Sequence, residues 1–248
     1  MKRILVASLA CRVNSTRLYA KPLQPLDIER GISVLDYVLD FFKTVPVVDH
    51  IVPAISADPG NAPFRLAAER HSLPWVMGSE DDVLKRHLDA SSAVGATDAL
   101  IITPESPFLY FEAIDDAWSR HLSHGNDVTG VDALPDGSGF SINRVAALQR
   151  SYDEGEERHR GETSLYIREN PDEFKVERVD VPVEVRRPDI RLTVDYPEDL
   201  VLCRRVYDHF RDQAPRIPVG EIIRYLEDNP QLLALVEPYV ENPELYDD

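Results

Sequence analysis

Cysteine is scarce. Cys11 and Cys203 are the only two in 248 residues. A disulfide-stapled scaffold is therefore excluded, and a reducing cytoplasm is the expected compartment. Long apolar runs are also missing. None approaches the roughly 18 residues that a membrane helix needs. The apolar run at 4–7 follows Met1-Lys2-Arg3 and ends at Cys11-Arg12 without a small-residue cleavage site, so it is expected to be a first strand and not a leader. Positive charge is short: 27 Lys and Arg stand against 44 Asp and Glu, for a net charge of −17. A general nucleic-acid binder needs a basic face and is not expected. The seven histidines form no spacing that suggests a zinc site; His121 and His124, three apart at a helix end, are expected on the surface. Neither the Walker pattern nor the dinucleotide Gly-x-Gly-x-x-Gly pattern occurs.

What is present is a chain with 43% hydrophobic residues, enough for one large core. Of the cations only Lys2, Lys21, Lys43, Lys85 and Lys175 are lysine; the other 22 are arginine, whose fork suits phosphates and carboxylates. Short apolar runs at 3–9, 50–56, 73–77, 99–103 and 127–131 predict strands. Helical spacing predicts helices at 63–71 and 111–122, another starting at Ser33 with a Ser33/Asp36 capping box, and another capped by Ser79 with Val83, Leu84, His87, Leu88 and Ser91 on one face. Such alternation predicts a mostly parallel sheet with helices on both faces. The ligand is then expected at the carboxyl ends of the strands, among the loops at 10–21, 56–62, 78–82 and 103–110. Farther along, a turn-rich stretch at 134–139 is followed by expected helices at 145–152 and 164–170 and expected strands at 175–183 and 190–194. Helices are expected at 198–211 and through the segment of about 215–248, ahead of the acidic end at 241–248. No repeat or linker divides the chain, so residues 1–248 are expected to form one domain.

The loop after the first strand, Arg12-Val13-Asn14-Ser15-Thr16-Arg17-Leu18-Tyr19-Ala20-Lys21, places three cations and the two aliphatic hydroxyls of Ser15 and Thr16 in ten residues. A nucleoside triphosphate needs such a cradle of fixed charge and donors. This stretch resembles the Ala-Arg-x-x-Ser-Thr-Arg-Leu-Pro-x-Lys signature of cytidylyltransferases, above all the spore-coat polysaccharide biosynthesis branch, related to the CMP-sialic-acid and CMP-3-deoxy-octulosonate synthetases. Four further stretches agree in order: Gly78-Ser79-Glu80-Asp81-Asp82-Val83-Leu84, Tyr166-Ile167-Arg168-Glu169-Asn170-Pro171, Arg191-Leu192-Thr193-Val194-Asp195-Tyr196-Pro197-Glu198-Asp199 and Asn229-Pro230-Gln231-Leu232. The first and fourth of the five are the specific ones.

The resemblance implies a three-layer α/β/α fold of the nucleotide-diphospho-sugar-transferase (GT-A-like) type, with a mostly parallel sheet and a small β-extension that often serves as a dimer arm. It implies transfer of CMP from CTP to a sugar acid or related acceptor with release of pyrophosphate, Mg²⁺ as cofactor and a homodimer. Arg12, Ser15, Thr16, Arg17, Lys21 and Ser79 would bind the nucleotide, with Arg12, Arg17 and Lys21 neutralising the leaving pyrophosphate. Asp195 would be one metal ligand. The family's Gly-Asp-x-Pro is Pro104-Glu105-Ser106-Pro107 here, which puts Glu105 in the place of the second. Asp136 and Glu162 would stand on the acceptor side. Mg²⁺ takes one or two carboxylates and fills its octahedron with phosphate oxygens and water, so two carboxylates facing a basic loop suit it.

The chain departs from the pattern at Ala10-Cys11, at Tyr19-Ala20 in place of Pro-Gly, and at Gly139, where the acceptor motif Pro-Asp-Gly-x-Asp loses its second Asp. The nucleotide half is better kept than the acceptor half. Two alternatives therefore stay open: a glycosyltransferase on the same fold, and a non-catalytic nucleotide-binding homologue. Cys11 is expected to be a small packing residue, Cys203, Trp75 and Trp118 core residues, and Asp81-Asp82 a helix-capping pair.

Overall fold

The computed structural model describes residues 2–240; the acidic end read from the sequence lies outside the described residues. In chain order the elements are β1 (Leu5–Cys11), β2 (Pro25–Asp27), β3 (Ile32–Ser33), α1 (Val34–Lys43), β4 (His50–Ser56), α2 (Ala62–Arg70), β5 (Val76–Gly78), α3 (Val83–Ala93), β6 (Asp98–Ile102), α4 (Ile114–His124), β7 (Val128–Val131), β8 (Phe140–Arg144), α5 (Val145–Glu154), α6 (Leu165–Glu169), β9 (Val176–Arg178), α7 (Pro197–His209), α8 (Val219–Glu227) and α9 (Pro230–Val236). A seven-stranded sheet runs β5-β4-β1-β6-β8-β7-β9. Only β8 opposes its neighbours β6 and β7; the other pairs are parallel. Strands β2 and β3 make a separate hairpin.

The layers follow from the two-residue period of β1. Leu5, Ala7, Leu9 and Cys11 enter one core with α1, α7 and α8. Val6 enters another with Leu84 and Leu88 of α3 and Leu148 of α5. Helix α1 begins as the sequence predicts: the Ser33 Oγ accepts from the Asp36 N–H at 3.0 Å, and the Asp36 carboxylate accepts from the Ser33 N–H at 3.1 Å. Its buried face carries Tyr37, which meets Phe108 and Tyr207 edge-on at 5.9 and 5.8 Å, a favoured aromatic geometry.

Several expectations change. Asp82, not Ser79, caps α3, accepting from the Lys85 N–H at 2.9 Å. The stretch 140–144, where alternating Phe140 and Ile142 were the signal, is the strand β8. The expected strand at 190–194 joins no ladder beyond a single bridge between Arg191 and Asp136. The expected strand at 175–183 shrinks to β9; Pro182 near its end has no N–H to offer a ladder. His121 is wholly buried, between Thr129 Oγ1 at 2.9 Å and Asp98 Oδ1 at 3.1 Å; of this pair His124 alone is exposed. Cys11 and Cys203 are buried, and burial pushes both thiols up. Trp75 and Trp118 are half-buried against the core. No helix among the described residues is long and apolar enough to cross a membrane.

Candidate active site

The parallel strands β5, β4, β1 and β6 end on the same edge of the sheet, so the loops after them converge. Between β1 and β6 the chain changes direction across the sheet, the position at which an open α/β fold leaves a crevice. A cavity of about 550 Å³ lies there, walled by Arg12, Asn14, Ser15, Thr16, Arg17, Lys21, Glu80 and Glu105 together with Ala10, Tyr19, Pro22 and Pro104.

The loop after β1 is pinned at both ends. The Val13 N–H donates to buried Asn61 Oδ1 at 2.7 Å, and Asn61 donates back to Ser56 O at the end of β4. The Ala20 N–H closes the loop on Val13 O at 2.8 Å. Ala20 stands in the left-handed region at φ 51°, where an alanine is strained by about 1–2 kcal/mol. The turn delivers Lys21, 7% exposed, to the cavity floor. Its ammonium donates to Asp195 Oδ1 and lies 3.9 Å from Glu105 Oε1. Arg17 Nη2 donates to the same Asp195 oxygen at 2.9 Å.

Asp195 is held from the far side by Arg191, 3% exposed, at 3.2 Å. Arg191 also reaches Asp136 at 2.8 Å and the buried Asp199 at 3.1 Å. The Asp199 carboxylate accepts from the Asp195 and Tyr196 N–H groups, both at 2.9 Å, fixing the turn that presents Asp195. Burial opposes the Asp195 charge, but the Lys21 hydrogen bond with the charges of Lys21, Arg17 and Arg191 holds its carboxyl below the usual range. Glu105 goes the other way: burial outweighs Lys21 and raises its pKa. The two carboxylates share one cation, in unequal surroundings.

The sequence-derived residues Arg12, Ser15, Thr16, Arg17, Lys21 and Glu105 thus meet at one cavity, and Asp195 is bonded to two of them. Ser79 is not in the wall; its neighbour Glu80 is, pairing with Arg12 at 3.8 Å and accepting from Asn14 at 3.0 Å. Asp136, half-exposed, stands one side chain away, behind Arg191. Glu162 is outside the wall, paired with Arg168 on the exposed surface. Arg191 and Asp199 were missed as site residues, although both lie in the motif around Asp195; their spacing of four and four was the available signal.

Among the described residues, no group of three or more His, Cys, Asp or Glu could hold a metal ion by itself. Glu105 and Asp195 offer two carboxylates, a set that fits an ion completed by substrate phosphates and water.

The family model described as cytidylyltransferase matches residues 8–234. The spore coat polysaccharide biosynthesis protein SpsF of Bacillus subtilis (strain 168) is 27% identical over 234 residues, covering 90% of this chain and 93% of its own. A cytidylyltransferase structure from Leptospira borgpetersenii serovar Hardjo-bovis superposes with a TM-score of 0.83 at 19% identity, covering 94% of this chain and 97% of that one. A CMP:2-keto-3-deoxy-manno-octonic acid synthetase complexed with CTP gives 0.64 at 15% identity, covering 83% and 99%. The two structural likenesses establish the fold.

Proposed function

The chain belongs to the cytidylyltransferase family, a family of nucleotidyltransferases, and from that premise we propose that it moves CMP from CTP to a sugar acid or related acceptor, releases pyrophosphate and uses Mg²⁺. The observation that carries this reading is the Lys21 ammonium lying between Asp195 and Glu105 on the floor of a cavity walled by Arg12 and Arg17. CTP is chosen because the family and the CTP-bound structural relative point to it. A role in polysaccharide biosynthesis follows the name of the Bacillus relative.

In this reading an acceptor oxygen attacks the α-phosphorus, and the bond from that phosphorus to the bridging oxygen breaks. Charge grows on the departing pyrophosphate, where Arg12, Arg17 and Lys21 neutralise it. To meet the phosphates, Lys21 and Arg17 exchange the Asp195 oxygen for phosphate oxygens, which frees that carboxylate. Glu105 and Asp195 would hold Mg²⁺, which supplies Lewis-acid polarisation of the phosphoryl oxygens when bound. Arg191 and Asp199 keep Asp195 in place during the exchange. Asp136 and Glu162 are assigned to the acceptor side on the resemblance. The reading includes action in the cytoplasm as a homodimer; the β2–β3 hairpin carries Ile28 at its turn, 68% exposed, as an apolar contact for a second copy.

Calorimetric titration with each nucleoside triphosphate, in Mg²⁺ and again in EDTA, tests the proposal. Tightest binding of CTP, strengthened by Mg²⁺, is the expected result and leads to acceptor screening by pyrophosphate release. Absence of binding for every triphosphate overturns it. Sedimentation of the same sample reads the oligomeric state.

A further inference from the structure

Beneath the cavity lies a cation that plays no part in the scheme above. Arg86 of α3 is 1% exposed, the largest fully buried side chain among the described residues. Burying a guanidinium is unfavourable unless its charge and donors find partners. Its donors meet main-chain carbonyls: Nη1 donates to Ala54 O at 2.8 Å and reaches Cys11 O at 3.4 Å, while Nη2 reaches Glu80 O at 3.4 Å. Its Nε is buried with no hydrogen-bond partner among the described residues. Carbonyl dipoles satisfy donors but leave the formal charge in place.

The three carbonyls belong to three segments of the site. Cys11 ends β1 and immediately precedes Arg12. Ala54 lies in β4. Glu80 lies in the loop before α3. Arg12 and Glu80 both wall the cavity and face each other at 3.8 Å, so one side chain ties down both ends of that pair from behind. The space Arg86 occupies is reserved by Gly78: a Cβ there would lie 2.8 Å from Arg86 Cγ, closer than atoms tolerate. The glycine that opens the Gly78–Leu84 motif thus has a physical reason, and so does an arginine two residues beyond its end.

We propose that Arg86 is a positioning residue for the nucleotide site, clamping the Arg12 and Glu80 loops through their carbonyls and adding a fixed, water-shielded positive charge that favours polyphosphate in the cavity. This rests on the triphosphate reading of that cavity. A buried charge is screened little by salt, and its attraction grows with the number of phosphates on the ligand.

The experiment is calorimetric titration of wild type, Arg86→Met and Arg86→Lys with CTP, CMP and inorganic tripolyphosphate, with thermal unfolding of each protein recorded alongside. For folded Arg86→Met the expected loss is about tenfold or more for CTP and tripolyphosphate and under about threefold for CMP. Arg86→Lys, which keeps a cation in the same space but loses the fork, is expected to recover part of that loss. Gly78→Ala, which leaves Arg86 present but crowds its Cγ, is expected to weaken CTP by a smaller factor and serves with Arg86→Lys if the methionine variant does not fold. Unchanged CTP and tripolyphosphate affinity in the folded variants overturns the proposal, as does an equal loss for CMP and CTP, which would mark Arg86 as packing alone. A wild-type protein that binds none of the three ligands would instead remove the reading of the cavity itself.

Discussion

The Lys21 ammonium donates to Asp195 Oδ1 across 174 residues of chain and joins the loop after β1 to the turn before α7. Because Asp195 also accepts from Arg17 and Arg191, removing Lys21 does not leave it unpaired. Lys21→Ala is therefore expected to fold and to weaken CTP binding by about 10–100-fold, the weight of one charge-assisted contact. Asp195→Ala is expected to lower turnover by about 100-fold or more. Calorimetry and pyrophosphate release read the two effects, and full turnover in Asp195→Ala would remove the metal assignment.

On the sequence resemblance Glu105 stands where the family has Asp, one methylene longer, and burial raises its pKa despite Lys21 3.9 Å away. Glu105→Ala is expected to raise the Mg²⁺ concentration for half-maximal activity by at least about tenfold, while Glu105→Asp stays active. A metal titration of turnover checks both; an unchanged requirement in Glu105→Ala would exclude it as a ligand.

Arg191 faces Asp136, Asp195 and the buried Asp199. Removing one partner of a buried ion pair strands the other charge, so Arg191→Met is expected to lose about 3–5 kcal/mol of stability. Arg191→Met/Asp199→Asn is expected to regain part of it, since no charge is left stranded at position 199 while the amide oxygen can still accept from the Asp195 and Tyr196 N–H groups. Denaturant unfolding measures both. A single variant within about 0.5 kcal/mol of wild type contradicts the account.

At the opposite end of β1, wholly buried Asp98 accepts from Arg3 Nε at 2.6 Å and Thr97 Oγ1 at 2.7 Å, with His121 Nε2 at 3.1 Å. Burial works against its charge, yet the Arg3, His121 and Thr97 hydrogen bonds hold its pKa down at about 2. The folded value lies below the unfolded value of about 3.9, so this contribution is present above pH 4 and is lost as pH falls toward 2. It amounts to roughly 2–3 kcal/mol. Chemical denaturation from pH 6 to pH 2 should show the loss in wild type and a flatter profile in Asp98→Asn. Identical profiles would contradict it.

Gly137 stands at φ +87°, and a Cβ there would lie 2.8 Å from Thr193 Cβ and 2.9 Å from the Thr193 nitrogen. The 135–139 turn and the strand-like segment before Asp195 are in contact here. Gly137→Ala is expected to lose about 1–3 kcal/mol through strain and crowding. It should also lower turnover by displacing Asp195. Loss of stability with unchanged turnover would show that the two segments are not coupled.

Much of the frame was legible because it is local. The Ser33/Asp36 capping box marks the start of α1, short apolar runs mark β1 and β4, and the order of strands and helices implies a parallel sheet whose carboxyl edge holds the site. The cation-rich loop, Glu105 and Asp195 were nameable from their motifs, and six of these residues do line one cavity. Other features depend on what a side chain meets after folding, which no local pattern carries. His121 sits near the end of an amphipathic helix and reads as surface, yet α4 turns it onto Asp98. Ser79 looks like a helix cap, but the chain delays the turn to Asp82 and brings Glu80 to the cavity. Nothing local marks Arg86 and Arg191 as buried, yet they are, because carbonyls from three segments surround the one, and the carboxylates of Asp136, Asp195 and, in α7, Asp199 surround the other. The sequence by itself determined most of the strands and helices, the family signature and the kind of chemistry, since these rest on contacts a few residues long. Only the tertiary structure decided which cation meets which carboxylate, because the pairings at the site close loops of up to 178 residues and depend on sheet register and helix packing.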